Sequence, residues 1–332
     1  MQGILLINLG SPKELQLKSV RSYLKEFLSD DLVIDIPKIF QQLLLNLIIL
    51  PFRPKKTLEA YSSIWTKEGS PLILNTNKIA KSLSKKSGIA VEVAMRYQEP
   101  KIYDALKNLM AKGCKDITVI PLYPHYAMAT TLTTIKEVKR VAKDMDLNLK
   151  FIESFFKEPA YINSLSKKIK SYLKDETDYL LFSYHGIPER HILKTDPTKS
   201  HCLNTPDCCN KESASKPFCY KAQVLETSKL CAKEIGLESD QWGVSFQSRL
   251  GPGWLKPFSD IELAELPKKG KKNIAVVCPA FVADNLETLE EMDIRGRETF
   301  LDSGGNSFTY VPCLNDDDSW IDFLSSLVDY KK

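Results

Sequence analysis

Histidine is nearly absent, with four residues in 332. No apolar run reaches the length that spans a bilayer, so a membrane-crossing helix is excluded. The N-terminus lacks the basic, apolar, small-residue order of a signal peptide. "GILLINLG" reads as a strand instead, which predicts a cytoplasmic protein. No GxGxxG or GxxxxGK[ST] follows an apolar run, which disfavours a nucleotide ligand. Neither sign of charge dominates. A formal net charge of +4 is too mild for nucleic acid but suits small anions or an anionic membrane surface.

What is present fits a soluble globular protein, with 43% hydrophobic and 27% charged residues. The length predicts two domains or one large one. Eight cysteines without an export signal argue for metal binding or burial rather than a disulfide framework.

Apolar runs alternate with helical periodicity. Strands are expected at Gly3–Leu9, Ile89–Met95, 116–124 and 149–154, then at 178–184, 241–247, 273–279 and 307–312. Leu17, Val20, Leu24, Phe27 and Leu28 recur at helical spacing. Further helices are expected over 101–113, Thr130–Met145, Tyr220–Ile235, Leu286–Phe300 and Trp320–Tyr330. This alternation predicts an α/β protein with two doubly wound domains. Each would hold a four-stranded parallel sheet flanked by helices. The boundary falls near 150–175, giving domains 1–155 and 156–332. Ligands of such sheets bind beyond the carboxyl ends of strands, so a cleft between the halves is expected.

Three features carry chemistry. His185 ends the apolar run "LLFSYH" and offers a proton acceptor at a strand end; a structural, hydrogen-bonded histidine is the alternative. In "ADNLETLEEMD", Glu287 and Glu291 share a helix face and Asp284 extends it, as a proton path or cation site. The competing reading makes Asp284 and Glu287 a capping box and leaves Glu290 solvated. Cys202, Cys208, Cys209 and Cys219 lie within 18 residues of loop composition. Clustered thiolates suit zinc or an iron–sulfur cluster, and the C-x5-CC-x9-C spacing does not choose between them. His201 could replace one thiol. Cys114, Cys231, Cys278 and Cys313 read as buried fillers. Ile39–Phe52 is apolar and is followed by Arg53, Lys55 and Lys56. It is either a core helix or an exposed lip meeting a flat apolar ligand or a membrane.

"NLGSP", "RYQEP", "PLYPHY", "SYHGIP", "FQSRLGPGWLKP" and "CPAFVADNLETLEEMDIRGRE" occur in that order. Together they resemble the ferrochelatases, which insert ferrous iron into protoporphyrin IX to make haem. The resemblance runs from residue 3 to about 328. It implies two Rossmann-like domains of the class II chelatase type, with a porphyrin cleft between them. A last helix at 316–330 would pack back on the first domain.

On the resemblance, His185 accepts pyrrole protons and Glu287 is the second essential residue, with Glu291 and Asp284 extending an acidic path. His185, Glu287 and Glu291 would meet the substrate iron. Iron entry from the histidine side and from the opposite side are both compatible with these residues. Leu9, Arg96, Tyr97, Tyr123, Ser248 and Trp254 match porphyrin-binding positions. The apolar stretch near 39–56 falls in the family's lip, which contacts porphyrin and, in membrane-associated members, the inner face of the cell membrane.

Some members carry a 2Fe–2S cluster on cysteines of a C-terminal extension and one mid-chain cysteine. This sequence ends at Lys332 without them, and Met128 stands at the mid-chain position. Other members place the cysteines in an internal insertion, which Cys202, Cys208, Cys209 and Cys219 (loop 201–219) fit. The alternatives are a coproporphyrin III ferrochelatase, or a non-catalytic porphyrin- or haem-binding protein with a structural metal. The oligomeric state is left open.

Overall fold

The computed structural model describes residues 1–328. Among these residues eight strands form two sheets. β1 (Gln2–Asn8), β2 (Ala90–Met95), β3 (Asp116–Pro121) and β4 (Asn148–Phe151) pair in the order β2-β1-β3-β4. β5 (Tyr179–His185), β6 (Trp242–Gln247), β7 (Asn273–Val277) and β8 (Ser307–Val311) repeat it as β6-β5-β7-β8. Every pairing is parallel. The central strands are buried almost end to end, which is why they read as continuous apolar runs rather than alternating ones.

By compactness the chain divides into two units. Of the described residues, one unit holds Met1–Leu122, Met128–Glu153 and 321–328; the other holds Tyr123–Ala127 and Ser154–Trp320. In the first unit, Leu5 and Ile7 of β1 pack on Ile102, Leu106 and Leu109 of the helix Ile102–Ala111 and on Val138. Alternate residues of a strand face opposite ways, so Ile4 and Leu6 serve the other face. The helix Pro71–Ser87 contacts β1 and β2. In the second unit, Leu181, Val276 and Phe308 pack on Leu263, Met292 and Phe300. The helices Pro159–Tyr172 and Tyr220–Ile235 contact β8 and β6 respectively. Full burial of one such side chain is worth about 1.5–3 kcal/mol.

Pro71–Ser87 and Pro159–Tyr172 are helices beyond those expected from periodicity. Their signals are local: proline in the first turn of each, and Gly88 in the left-handed conformation (φ 70°) ending the first. The helix expected over Thr130–Met145 is two pieces, π-wound over Met128–Leu132 and α-helical over Thr133–Val141. The last helix is Asp318–Ser326; the expected extension to Tyr330 lies outside the described residues.

Candidate active site

The second unit gathers its candidate site residues at and beyond the carboxyl ends of β5, β6 and β7. β5 delivers His185 beside Gln247 of β6. His185 is half-buried, and its Nδ1 lies 2.6 Å from the Gly186 carbonyl. A carbonyl only accepts, so Nδ1 carries the proton and Nε2 of the neutral ring is the basic nitrogen. The backbone carbonyl of His185 takes a hydrogen bond from the Tyr220 hydroxyl (2.9 Å), and Phe281 packs edge-on to the imidazole at 6.3 Å. Gly186 has no room for a side chain. A Cβ there would sit 2.8 Å from the Gln247 carbonyl and 3.4 Å from the Trp254 ring. Trp254 itself is half-buried and bridges to Pro188.

Behind this edge runs the acidic helix. It is π-wound over Glu287–Gly296, a rare geometry that is frequent at functional sites. Its start is a capping box shifted by one residue from that expected. Asn285 accepts from the Thr288 N–H (3.1 Å), and the Thr288 hydroxyl oxygen accepts from the Asn285 N–H (3.0 Å). Asp284 is therefore not the cap. It is buried and accepts from Thr288, Tyr310, Cys313 and Asn315, an anchor for the segment after β8. Glu290 is not simply solvated either, because Arg295 donates to both its oxygens (2.8 and 2.9 Å).

Glu291 accepts the Ser248 N–H (2.8 Å) and the Ser248 hydroxyl. Ser248 adopts φ 62°, strained for a residue with a Cβ, and those two bonds hold it there. Gln247 joins the parts. Its Nε2 donates to the Glu287 carbonyl (2.9 Å) and reaches Glu291 (3.4 Å), while its Oε1 accepts from Ser183 (2.8 Å). The sequence marks Gln247 as an unusual residue at a strand end but assigns it no role, because its partners Ser183, Glu287 and Glu291 lie 40 residues or more away in the chain.

In the first unit, Arg96 and Tyr97 follow β2, and their amides donate to the carbonyls of Asn8 and Leu9. Gly10 (φ 113°) is required here, since a Cβ would collide with the Tyr97 carbonyl. Leu9 and Arg96 are half-buried, whereas Tyr97 is buried. Arg96 donates to Asp30 and Thr133, and the Tyr97 hydroxyl donates to Asp30 (2.9 Å). Burial first, and then the Asp30 charge, push the Tyr97 hydroxyl well above its usual range, so it stays protonated. Tyr123, of the second unit, is also buried.

The stretch Ile39–Phe52 is helical and largely exposed. Ile39, Phe40, Leu43, Leu47, Ile48 and Phe52 face solvent, while Leu45 and Leu50 are buried. The core-helix reading therefore fails for most of it. Arg53, Lys55 and Lys56 beside it are exposed. Among the described residues no helix is long and apolar enough to cross a membrane.

All eight cysteines are free thiols, and Cys114, Cys231, Cys278 and Cys313 are buried as expected of fillers. Cys202, Cys208, Cys209 and Cys219 line one small cavity with His201 and Ser215. The sulfurs of Cys208 and Cys209 are 3.9 Å apart, across a 3-10 turn at Cys208–Asn210 that splays the adjacent side chains. A hydrogen bond with Cys219 pulls the Cys209 thiol below its usual range. His201 is occupied elsewhere, its Nε2 donating to the Cys208 carbonyl (3.0 Å). Among the described residues no three histidine, cysteine, aspartate or glutamate groups stand in a finished metal-binding arrangement. The donor set still fits a thiophilic centre: four thiols converge on one cavity with no competing carboxylate in its lining.

Known proteins share both the sequence and the plan. A curated ferrochelatase of Pseudomonas fluorescens (strain Pf0-1) is 45% identical over 330 residues, covering 98% of this chain and 96% of the relative. One from Opitutus terrae is 44% identical over 333 residues, with coverage of 98% and 96%. Among solved structures, SirB from Bacillus subtilis with Fe3+ matches with a TM-score of 0.56 at 12% identity, covering 98% of this chain and 93% of that one; at that identity the likeness shows fold alone. The ferrochelatase family profile matches residues 1–332, and the chain belongs to the ferrochelatase family.

Proposed function

We propose that this chain inserts ferrous iron into protoporphyrin IX, with His185 as the base and Glu287 as the second catalytic group. The enzyme is a ferrochelatase, and iron insertion into a porphyrin for haem synthesis is its reaction. Insertion replaces two pyrrole protons with one Fe2+, so a proton acceptor is required. The observation that carries the assignment is the Nδ1–H to Gly186 bond, which leaves Nε2 of His185 as the accepting nitrogen. General-base help of this kind is typically worth ~10²–10⁴-fold. Glu287 would take protons onward or meet the metal, and Glu291 would extend that path.

Leu9, Arg96, Ser248 and Trp254 keep accessible surface and are assigned to porphyrin contact. Tyr97 and Tyr123 are assigned as buried backing for that contact. Arg96 would have to share its guanidinium between Asp30 and a porphyrin propionate. The exposed apolar side chains of Ile39–Phe52 are assigned to the porphyrin's apolar rim and to an anionic membrane surface, with Arg53, Lys55 and Lys56 adding about 1 kcal/mol each at such a surface.

Cys202, Cys208, Cys209 and Cys219 would hold a 2Fe–2S cluster. When bound, the cluster supplies a redox-active iron–sulfur centre whose thiolate ligands also cross-link the loop. The decisive experiment is an anaerobic assay of purified protein with Fe2+ and each of two porphyrins. Metalloporphyrin should form faster with protoporphyrin IX than with coproporphyrin III, whose four propionates need more cationic anchors. The reverse order would reassign the substrate, and no product with either would remove the activity.

A further inference from the structure

The loop that carries the four thiols is held by a residue with no sulfur. Asp196 follows the helix Glu189–Thr195 and is buried, yet all of its side-chain hydrogen-bond donors are neutral. Oδ1 accepts from the Thr198 N–H (2.8 Å), the Thr198 hydroxyl (2.7 Å) and the Ser215 hydroxyl. Oδ2 accepts from the N–H groups of His201 (2.9 Å) and Cys202 (2.8 Å). These bonds fix the backbone of the first thiol residue and tie it to Ser215, four residues before the last. Ser215 and Cys202 both line the thiol cavity. The far side of the loop is tied separately. Gln223 donates to the carbonyls of Lys216 (3.3 Å) and Pro217 (2.8 Å) and accepts from the Tyr126 N–H (2.7 Å). The backbone around the cavity is thus tied by oxygen and nitrogen groups of the protein.

We propose that Asp196 is a positioning residue that presets the four-thiol cavity before any metal arrives. This rests on the reading of those thiols as a metal site. A carboxylate suits the position because both oxygens face donors. An amide of the same shape would turn its NH2 towards N–H or O–H groups on one side, leaving buried donors unpaired. Asp196→Asn should therefore loosen the loop even though Asp196 touches no metal.

The test uses the full chain purified without oxygen. In metal-stripped protein, a maleimide should modify the loop thiols at least about tenfold faster in Asp196→Asn than in wild type, because local opening is easier. As purified, the variant should carry less than about half of the wild-type iron and sulfide, and recover little on reconstitution with Fe2+ and sulfide. Ser215→Ala, which removes one donor, should fall between the two and keeps the test decisive if Asp196→Asn does not fold. Wild-type labelling rates and metal content in both variants would overturn the proposal. If wild type binds neither iron–sulfide nor zinc, the metal reading fails by itself, and the labelling arm still judges whether Asp196 holds the loop.

Discussion

One short bond fixes the tautomer of His185, the proposed base. His185→Ala should lower the rate of metalloporphyrin formation by ~10²–10⁴-fold while porphyrin still binds, as read by fluorescence titration. Activity within twofold of wild type would sink the assignment. Glu287→Gln should lose most activity. Glu290→Gln should not, since it breaks only a partly exposed pair with Arg295, worth roughly 0–1 kcal/mol. Equal losses in the two would mean general damage to the helix. His125 behaves differently from His185. It is buried between Tyr184 and Tyr220 and bonded to Thr227 (2.9 Å), and burial pushes it down from 6.5 to about 3. The unfolded chain therefore takes up this proton first as pH falls. The folded state is at full advantage above 6.5 and loses up to ~1.4 kcal/mol per pH unit between there and about 3. Urea unfolding at about pH 7 and about pH 5 should show a smaller loss in His125→Gln than in wild type. An identical loss would refute this. The sequence showed both histidines at or just beyond strand ends; only their neighbours separate the proposed acceptor from a core residue.

At the scale of elements, the apolar stretch Ile39–Phe52 shows how an apolar composition leaves open whether a segment is core or exposed lip. Hydrophobicity nearly all round a helix usually means a core position, but here Leu45, Leu50 and the polar Gln41 are buried, Ile49 packs half-buried against the same core, and most of the other apolar side chains face solvent. Gln41 is the device that makes this possible. It donates to the carbonyls of Asp30 (3.2 Å) and Ile34 (3.1 Å), anchoring the helix from its inner face. Leu47→Glu and Ile48→Glu should leave the thermal midpoint nearly unchanged, because both side chains already face solvent. They should reduce sedimentation with anionic liposomes and raise KM for porphyrin. Unfolding of these variants would restore the core reading, and unchanged liposome binding would end the membrane assignment.

At the scale of the molecule, the alternating apolar runs and helical periods announced two four-stranded parallel sheets, while the strand order that both sheets repeat came only from the fold. A parallel strand must be apolar along its length and must be followed by a covering helix, so the architecture is written locally. The motifs were equally legible: His185 at the end of β5, the carboxylates after β7, the cysteines in a polar loop. Tertiary structure decided what each does. Asp284 and Glu291 look alike in "ADNLETLEEMD", yet one is spent on Tyr310 and Asn315 and the other on Ser248. The helix that carries Glu291 winds with a π pitch that no residue pattern announced. Asp196 resembles any loop aspartate until Cys202 and Ser215 fold onto it. In each case the deciding partner lies far along the chain or across a turn. A hydrogen bond depends on distance and direction in space, which residue order alone does not supply.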